Sequence, residues 1–142
     1  MASNIALIVG EKPSVALSVA KALSNNNFQS KKSFATPIHE FTGSFQDKRT
    51  VFRCTSVTGH VLNIDFHPKY RNWTDTEPRE LFTAKTEKNP ADKNGKICKH
   101  LQIAAKNVKY LILWLDCDRE GENICFEVID QCRFSMVNYS PK

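Results

Sequence analysis

The sequence predicts an α/β domain in which a central, mainly parallel sheet is flanked by helices. Two short apolar runs, at residues 5–9 and 110–115, support this class, and each is followed by a turn and a helical apolar pattern. Continuous apolar runs of this length are typical of strands that are buried on both faces, as in parallel sheets. The 142 residues are enough for one globular domain.

Residues 5–24 predict a strand, a loop and a helix, which form the first half of a βαβ unit. The apolar run ends at Gly10, and Pro13 and Ser14 are residues that favour a helix start. Apolar side chains then recur at helical spacing. We expect the polar stretch 24–27 to end this helix.

Further elements follow from pattern alone. Residues 41–45 and 50–55 flank a polar stretch and predict a hairpin. Residues 97–107 predict a helix with one apolar face. The second buried strand, 110–115, leads through an acidic turn into a helix that we expect to reach about Asp130.

The segment 66–96 is rich in Pro, Lys, Asn, Asp and Thr, and we expect a long surface excursion with little regular structure. It contains Trp73 and Tyr70 beside Lys69 and Arg71. Such a mixture of aromatic and basic side chains is able to stack on a nucleic-acid strand. We favour the alternative that Trp73 holds the segment against the core, because large aromatic side chains are highly buried on average.

The composition describes an intracellular protein with a basic body. The net charge is +5, yet residues 116–130 contain six acidic side chains and a single basic one, Arg119. A basic surface around one acidic spot suits a polyanion-binding protein with a metal site, although chance clustering on a solvated surface is the simpler explanation of charge alone. No apolar run approaches the roughly 20 residues that cross a bilayer, which predicts no membrane partner. Five cysteines without a C-x-x-C pair predict free, mostly buried thiols.

Carboxylates follow both predicted strands. Glu11 comes after the first, and Asp116, Asp118 and Glu120 come after the second. Ligands of open α/β sheets gather at this edge, and side chains two apart in extended chain point the same way. Clustered carboxylates repel one another unless a cation lies among them, and a purely oxygen ligand set favours Mg²⁺ over zinc. The alternative is that these acids only stabilise the N-terminus of the next helix.

Three polar side chains lie near these acids in the sequence. Lys12 and Arg119 are each placed to bind a phosphate or to modulate a neighbouring carboxylate, and each is also a common type of exposed residue. In Thr58-Gly59-His60, a strand end would place the imidazole of His60 near a phosphate. A purely structural histidine is the alternative.

Several of these motifs together resemble the type IA DNA topoisomerases, and within them eukaryotic topoisomerase III, more the beta than the alpha type. The resemblance covers roughly residues 5–130. Its specificity comes from the combination of an E-K-P-S loop with a D-x-D-x-E-G-E-N loop. The segments that carry it are Glu11-Lys12-Pro13-Ser14, Thr58-Gly59-His60-Val61-Leu62 and Leu115-Asp116-Cys117-Asp118-Arg119-Glu120-Gly121-Glu122-Asn123-Ile124.

The resemblance implies a Toprim fold, nuclear localisation, and an enzyme that cuts one DNA strand, passes another through and reseals the first. It implies that Glu11 is the general acid/base at the 3′ oxygen of the cleaved strand and also a Mg²⁺ ligand. Asp116 and Asp118 would be the main ligands of Mg²⁺, with Glu120 supporting them. Lys12 and Arg119 become candidate catalytic residues. His60, Ser14, Lys12 and Arg119 become candidate contacts to single-stranded DNA, and beta-type relatives also act on RNA.

The family's tyrosine nucleophile lies in a separate domain, and Tyr70, Tyr110 and Tyr139 do not lie in its sequence context. We therefore expect the chain by itself neither to cleave nor to relax DNA, and we expect it to need the remaining topoisomerase domains, with a scaffold protein as a further partner. The rival interpretations are a non-catalytic fragment that binds nucleic acid and Mg²⁺, another Toprim nuclease or primase, and a phosphoacceptor receiver domain. The dense carboxylate set does not fit the last of these.

The domain boundaries follow from the same comparison. We expect the Toprim domain to span residues 1–133 and a tail to span residues 134–142. Arg133-Phe134-Ser135 resembles the start of the strand that follows the acidic helix in the family, but it arrives early. This predicts that the last strand of the sheet is missing or strained.

Overall fold

A computed structural model describes residues 4–137. Its core is a five-stranded mixed sheet with the strand order β2-β3-β4-β1-β7. The strand β1 pairs in parallel with β4 on one side and with β7 on the other, while β2, β3 and β4 are joined by antiparallel pairs. The strands are β1 (Asn4–Gly10), β2 (Gln29–Lys31), β3 (Ile38–Phe45), β4 (Lys48–Ser56) and β7 (Tyr110–Trp114). The predicted α/β class is confirmed.

Helices cover both faces of the sheet. On one face, α1 (Pro13–Ser24) packs against Ala6 and Ile8 of β1. On the other, α3 (Lys96–Ala104) and α4 (Arg119–Cys132) pack against Leu7 and Val9. Successive side chains of a strand point to opposite faces, so β1 supplies both cores. This is why its sequence is a continuous apolar run.

The predicted hairpin joins β3 to β4 through a turn tighter than expected. The turn residues Gln46 and Asp47 both have positive φ, of 50° and 58°. Two consecutive residues in this region give the turn whose twist matches that of the flanking strands. The first helix also ends as predicted, with Asn25 in the left-handed region at its C-terminal cap.

The excursion 66–96 is more regular than its composition predicts. The strand β6 (Thr86–Pro90) pairs antiparallel with β5 (Leu62–Phe66), and a short helix α2 (Pro78–Leu81) lies between them. The expectation that Trp73 holds this segment to the core is wrong, because its side chain is 75% exposed. Leu62–Phe66 does alternate apolar and polar residues, but its partner Thr86–Pro90 has no apolar side chain other than Pro90 to mark it in the sequence.

The last described residues, 133–137, follow α4 directly. Arg133–Ser135 forms a short 3₁₀ helix that continues directly from α4, and no strand begins there. Its continuation is fixed by a hydrogen bond from the Val137 amide to the Val108 carbonyl. Part of the predicted tail, 138–142, lies outside the described residues. Within residues 4–137, no helix has both the length and the apolar character required to cross a bilayer.

The cysteine prediction is confirmed for the described chain. All five thiols are free, and Cys54, Cys98 and Cys132 are buried. Burial raises the pKa of Cys54 and of Cys132 to about 12. These two thiols therefore remain protonated and unreactive at neutral pH.

A buried histidine fixes the end of β4, from which the His60 loop departs. The His100 ring lies within hydrogen-bonding distance of Ser33 Oγ at Nδ1 (2.7 Å) and of Thr55 Oγ1 at Nε2 (2.8 Å). Thr55 donates its own proton to the Pro37 carbonyl, so Nε2 must carry the hydrogen and Nδ1 must accept from Ser33. The network holds a neutral imidazole, and burial lowers the pKa of His100 to about 4.

This network predicts a stability loss in acid. An unfolded histidine titrates near 6.5, so between pH 6.5 and pH 4 the unfolded chain binds the extra proton. Stability contributed by neutral His100 is complete above pH 6.5 and is lost as pH falls through 4, up to about 3 kcal/mol. Urea unfolding of the wild type and of His100→Gln between pH 4 and 7.5 measures this term. We expect a flatter pH dependence in the variant.

The matched control is His67→Gln, because His67 is an exposed histidine outside this network. Its pH dependence should equal that of the wild type. A His100→Gln variant with the full wild-type slope would contradict the assignment of the acid sensitivity to His100.

Candidate active site

The site begins where two parallel strands end side by side. Gly10 of β1 lies opposite Trp114 of β7 in the parallel register. Glu11 follows immediately, and Asp116 follows two residues after β7 ends. The two loops that carry the predicted carboxylates therefore leave the sheet at the same edge.

The Glu11 carboxyl lies within reach of a side-chain hydrogen bond to Asp116. A side-chain hydrogen bond with Asp116 raises the pKa of Glu11, and desolvation and the negative charges of Asp116 and Asp118 act in the same direction. Lys12, with its Nζ 3.9 Å from Glu11 Oε1, lowers it. Two carboxyl groups in such a contact favour a state in which one proton is shared between them.

Asp118 is the N-terminal cap of α4. Its backbone is extended, and its Oδ1 accepts a hydrogen bond of 2.7 Å from the Gly121 amide. The capping role that the sequence left open for this cluster thus applies to Asp118. It uses one carboxylate oxygen, so capping and metal coordination are compatible.

Gly121 sets the distance between α4 and the strand end. A Cβ at this position would lie 2.1 Å from the Asp116 carbonyl oxygen, far inside van der Waals contact. Only glycine allows the helix to begin this close to the loop that carries the aspartates. Sequence reasoning did not identify this role, although the glycine lies inside the recognised motif.

His60 lies beside the acidic helix. Its Nε2 is 3.6 Å from Glu120 Oε1, and its Nδ1 is 3.1 Å from Glu127 Oε1. Gly59, with φ of 105°, makes the turn that directs the imidazole there, a backbone conformation that favours glycine. His60 is therefore part of the site region, while its contact with Glu127 is also structural.

Glu127 is the residue that sequence reasoning missed. Its carboxylate is buried and accepts hydrogen bonds from the amides of Val61 (2.8 Å) and Leu62 (3.1 Å) and from Asn123 Nδ2 (2.9 Å). It lies seven residues after Glu120, two turns along the same helix face. That spacing was the signal available in the sequence.

The four predicted metal ligands fall into two groups at one edge of the sheet. Glu11 contacts Asp116, with the charge of Asp118 nearby, and Glu120 lies next to His60. Across residues 4–137, no three side chains of His, Cys, Asp or Glu are gathered closely enough to hold a metal ion as they stand. Lys12, Ser14 and Arg119 are exposed around the same edge.

These features define the class of the protein. Residues 6–141 match the Toprim domain family, and the chain belongs to that family. The fold and the E-K-P-S and D-x-D-x-E loops described above are consistent with this assignment.

Among curated proteins, the chain is similar to eukaryotic DNA topoisomerases 3-beta. It is 47% identical to DNA topoisomerase 3-beta of Arabidopsis thaliana over 136 residues, which is 96% of this chain and 16% of that protein. The corresponding values are 51% identity over 124 residues for the Oryza sativa protein and 48% over 127 residues for human DNA topoisomerase 3-beta-1. These two alignments cover 87% of this chain and 14% and 15% of the respective relatives. The chain therefore spans about one-seventh of the length of the relatives it matches. The predicted resemblance to the beta type is confirmed.

The approach of Gly121 to Asp116 generates a structural prediction. Gly121→Ala should displace the Asp116 loop and lower the free energy of unfolding by about 1–3 kcal/mol, as expected for an overpacked contact. Chemical denaturation measures the change. Glu122→Ala, an exposed position in the same helical turn, is the control and should change stability by less than about 1 kcal/mol. Equal stability of Gly121→Ala and the wild type would contradict the close contact.

Proposed function

We propose that this chain is the Mg²⁺-binding, carboxylate-bearing part of a type IA DNA topoisomerase, which cleaves one DNA strand, passes another and reseals the first. The observation that carries the proposal is the contact of Glu11 with Asp116 at the shared edge of β1 and β7, within a chain of the Toprim family. The names of the similar proteins support the same activity.

The donor chemistry at this edge fits Mg²⁺. Asp116 and Asp118 offer hard carboxylate oxygens on an exposed loop, and Glu11 and Glu120 offer more from neighbouring elements. The hydrogen bond with Asp116, desolvation and the negative charge of Asp116 all raise the pKa of Glu11, and a divalent cation relieves such crowding of carboxylates. When bound, the ion supplies charge neutralisation for the phosphodiester and orientation of the strand.

Glu11 is suited to move a proton. Because Asp116 raises the pKa of Glu11, its carboxyl holds a proton more readily than a free glutamate does. We assign it proton donation to the 3′ oxygen that leaves on cleavage, and recovery of that proton on resealing. Lys12, next to it, opposes the shift and offers a positive charge to the scissile phosphate.

The strand would lie along the edge formed by the starts of α1 and α4. The first turn of α1 has no side-chain cap, Pro13 has no amide hydrogen and the Val15 amide donates to the Lys12 carbonyl, which leaves the Ser14 amide to bind a phosphate. Ser14 and Arg119 are exposed at the first turns of these helices, and His60 lies beside Glu120. We assign these residues, with Lys12, to contacts with single-stranded DNA, and with RNA as a second substrate.

The covalent step requires a tyrosine from another domain. Tyr110 lies at the start of β7, the end of the strand away from the carboxylates, and Tyr70 lies in the β5–β6 excursion. We therefore assign the nucleophile and the strand gate to further topoisomerase domains, acting in the nucleus with a scaffold protein as an added partner.

Magnesium binding tests the site directly. Calorimetric titration should show that Asp116→Asn and Asp118→Asn each weaken Mg²⁺ binding by at least about 10-fold. Asparagine at position 118 is chosen because it preserves the helix cap and removes only the charge. Asp47→Asn, in the β3–β4 turn, is the control and should bind as the wild type does. Equal affinity of all four proteins would refute the metal assignment.

Plasmid relaxation tests the activity. The chain alone should not relax supercoiled DNA, whereas a chimera in which residues 6–137 replace the matching part of Arabidopsis thaliana DNA topoisomerase 3-beta should do so with Mg²⁺. Glu11→Gln in the chimera should lower the rate by about 100-fold or more, the usual contribution of a general acid. Relaxation by the chain alone, or full activity of the Glu11→Gln chimera, would contradict the assigned roles.

A further inference from the structure

His60 stands between two carboxylates of one helix. Glu120 in the first turn of α4 faces its Nε2 at 3.6 Å, and Glu127 two turns later faces its Nδ1 at 3.1 Å. The Glu120 side chain is 70% exposed, whereas that of Glu127 is 9% exposed. The two acids therefore have different surroundings, and only one of them is suited to hold the ring in place.

Four groups lie within hydrogen-bonding distance of the Glu127 carboxylate. The Val61 and Leu62 amides donate to its Oε2, and Asn123 Nδ2 donates to Oε1, the oxygen that also faces His60. The Val61, Leu62 and Asn123 groups are all donors, and a carboxylate can only accept. The contact with His60 then requires a hydrogen on Nδ1.

We propose that Glu127 is the positioning residue of His60: it fixes the ring with the hydrogen on Nδ1 and leaves Nε2, beside Glu120, to accept a hydrogen bond from a donor of the bound nucleic-acid strand, such as a base amino group. The part that concerns the strand rests on the proposed function; the part that concerns the ring does not. We call Glu127 with its partners Val61, Leu62, Asn123 and His60 the Glu127 clamp. The clamp also gives Asn123 of the E-G-E-N motif a role, because the Asn123 amide donates to Oε1, the same oxygen that faces the imidazole.

The role of Glu127 differs from simple structural support in one respect. A group that only anchored the 61–62 backbone would need Oε2 alone, since both backbone amides donate to that oxygen. The second oxygen is directed at His60 and Asn123. An amide in place of the carboxylate separates the two functions, because it keeps one accepting oxygen and replaces the other with a donor.

Nitrogen NMR of the ring tests the positioning. In the chain labelled with ¹⁵N-histidine, at about pH 8.5 where a histidine of ordinary pKa is neutral, we expect His60 to carry its hydrogen on Nδ1. In Glu127→Gln, the carboxamide oxygen keeps the two backbone amides and its NH₂ group faces the ring. The ring hydrogen should therefore move to Nε2. His60→Gln identifies the signal among the four histidines.

The control for this measurement is Asp130→Asn on the same helix. Asp130 pairs with Lys88 at 2.8 Å and does not touch the ring, so the wild-type hydrogen position should persist in this variant. A wild-type ring with its hydrogen on Nε2 would overturn the proposal without any variant, even if Glu127→Gln failed to fold. An unchanged ring in folded Glu127→Gln would overturn it as well.

Strand binding tests the consequence. With a fluorescent single-stranded DNA oligonucleotide and Mg²⁺, His60→Gln and Glu127→Gln should each weaken binding by about 10-fold, and the double variant should be no weaker than either. Asp130→Asn should bind as the wild type does. Unchanged or additive effects would overturn the coupling. A wild-type chain that binds no oligonucleotide would instead refute the proposed function, and the NMR result would still decide the positioning of the ring.

Discussion

The parallel pairing of β1 with β7 is the constraint on which the rest of the site depends. Because Gly10 lies opposite Trp114, the chain must leave both strands at one edge, and Glu11 is brought against Asp116. Like charges so close together oppose folding, and the buried apolar run of β1, packed on both faces, offsets that cost. The sheet thus holds at its edge a contact that isolated peptides would avoid.

Local sequence was sufficient to predict the strands and helices whose apolar residues follow a regular period along the chain. The apolar runs of β1 and β7 and the helical spacing of α1 and α3 predicted these elements. The expectation that β7 is buried on both faces is wrong, because β7 is an edge strand of the described sheet, its side chains are only partly buried and Trp114 is exposed. Local sequence was insufficient where the deciding contact lies far along the chain. The β5–β6 pair is mostly exposed, and Trp73 lies on the surface despite its type. Glu127 takes its role from amides more than 60 residues away.

Several side chains at this edge serve stability and chemistry together. Asp118 caps α4 while it offers charge to the site, and Glu127 satisfies two backbone amides while it faces His60. Removal of either carboxylate therefore changes helix or loop stability as well as the site. Amide replacements preserve the hydrogen bonds and isolate the charge, which is why they distinguish the two roles better than alanine does.

The Glu127 clamp has a consequence for local unfolding of the protein. It ties the 57–62 loop, which carries His60, to the middle of α4, whose first turn carries the aspartate cap. If either segment moved alone, the Glu127 carboxylate or the Val61 and Leu62 amides would remain buried without a hydrogen-bond partner. Leaving a buried polar group unpaired costs free energy. Loop and helix should therefore open in a single cooperative fluctuation, so that hydrogen exchange of the loop follows the stability of the helix rather than that of an ordinary surface loop.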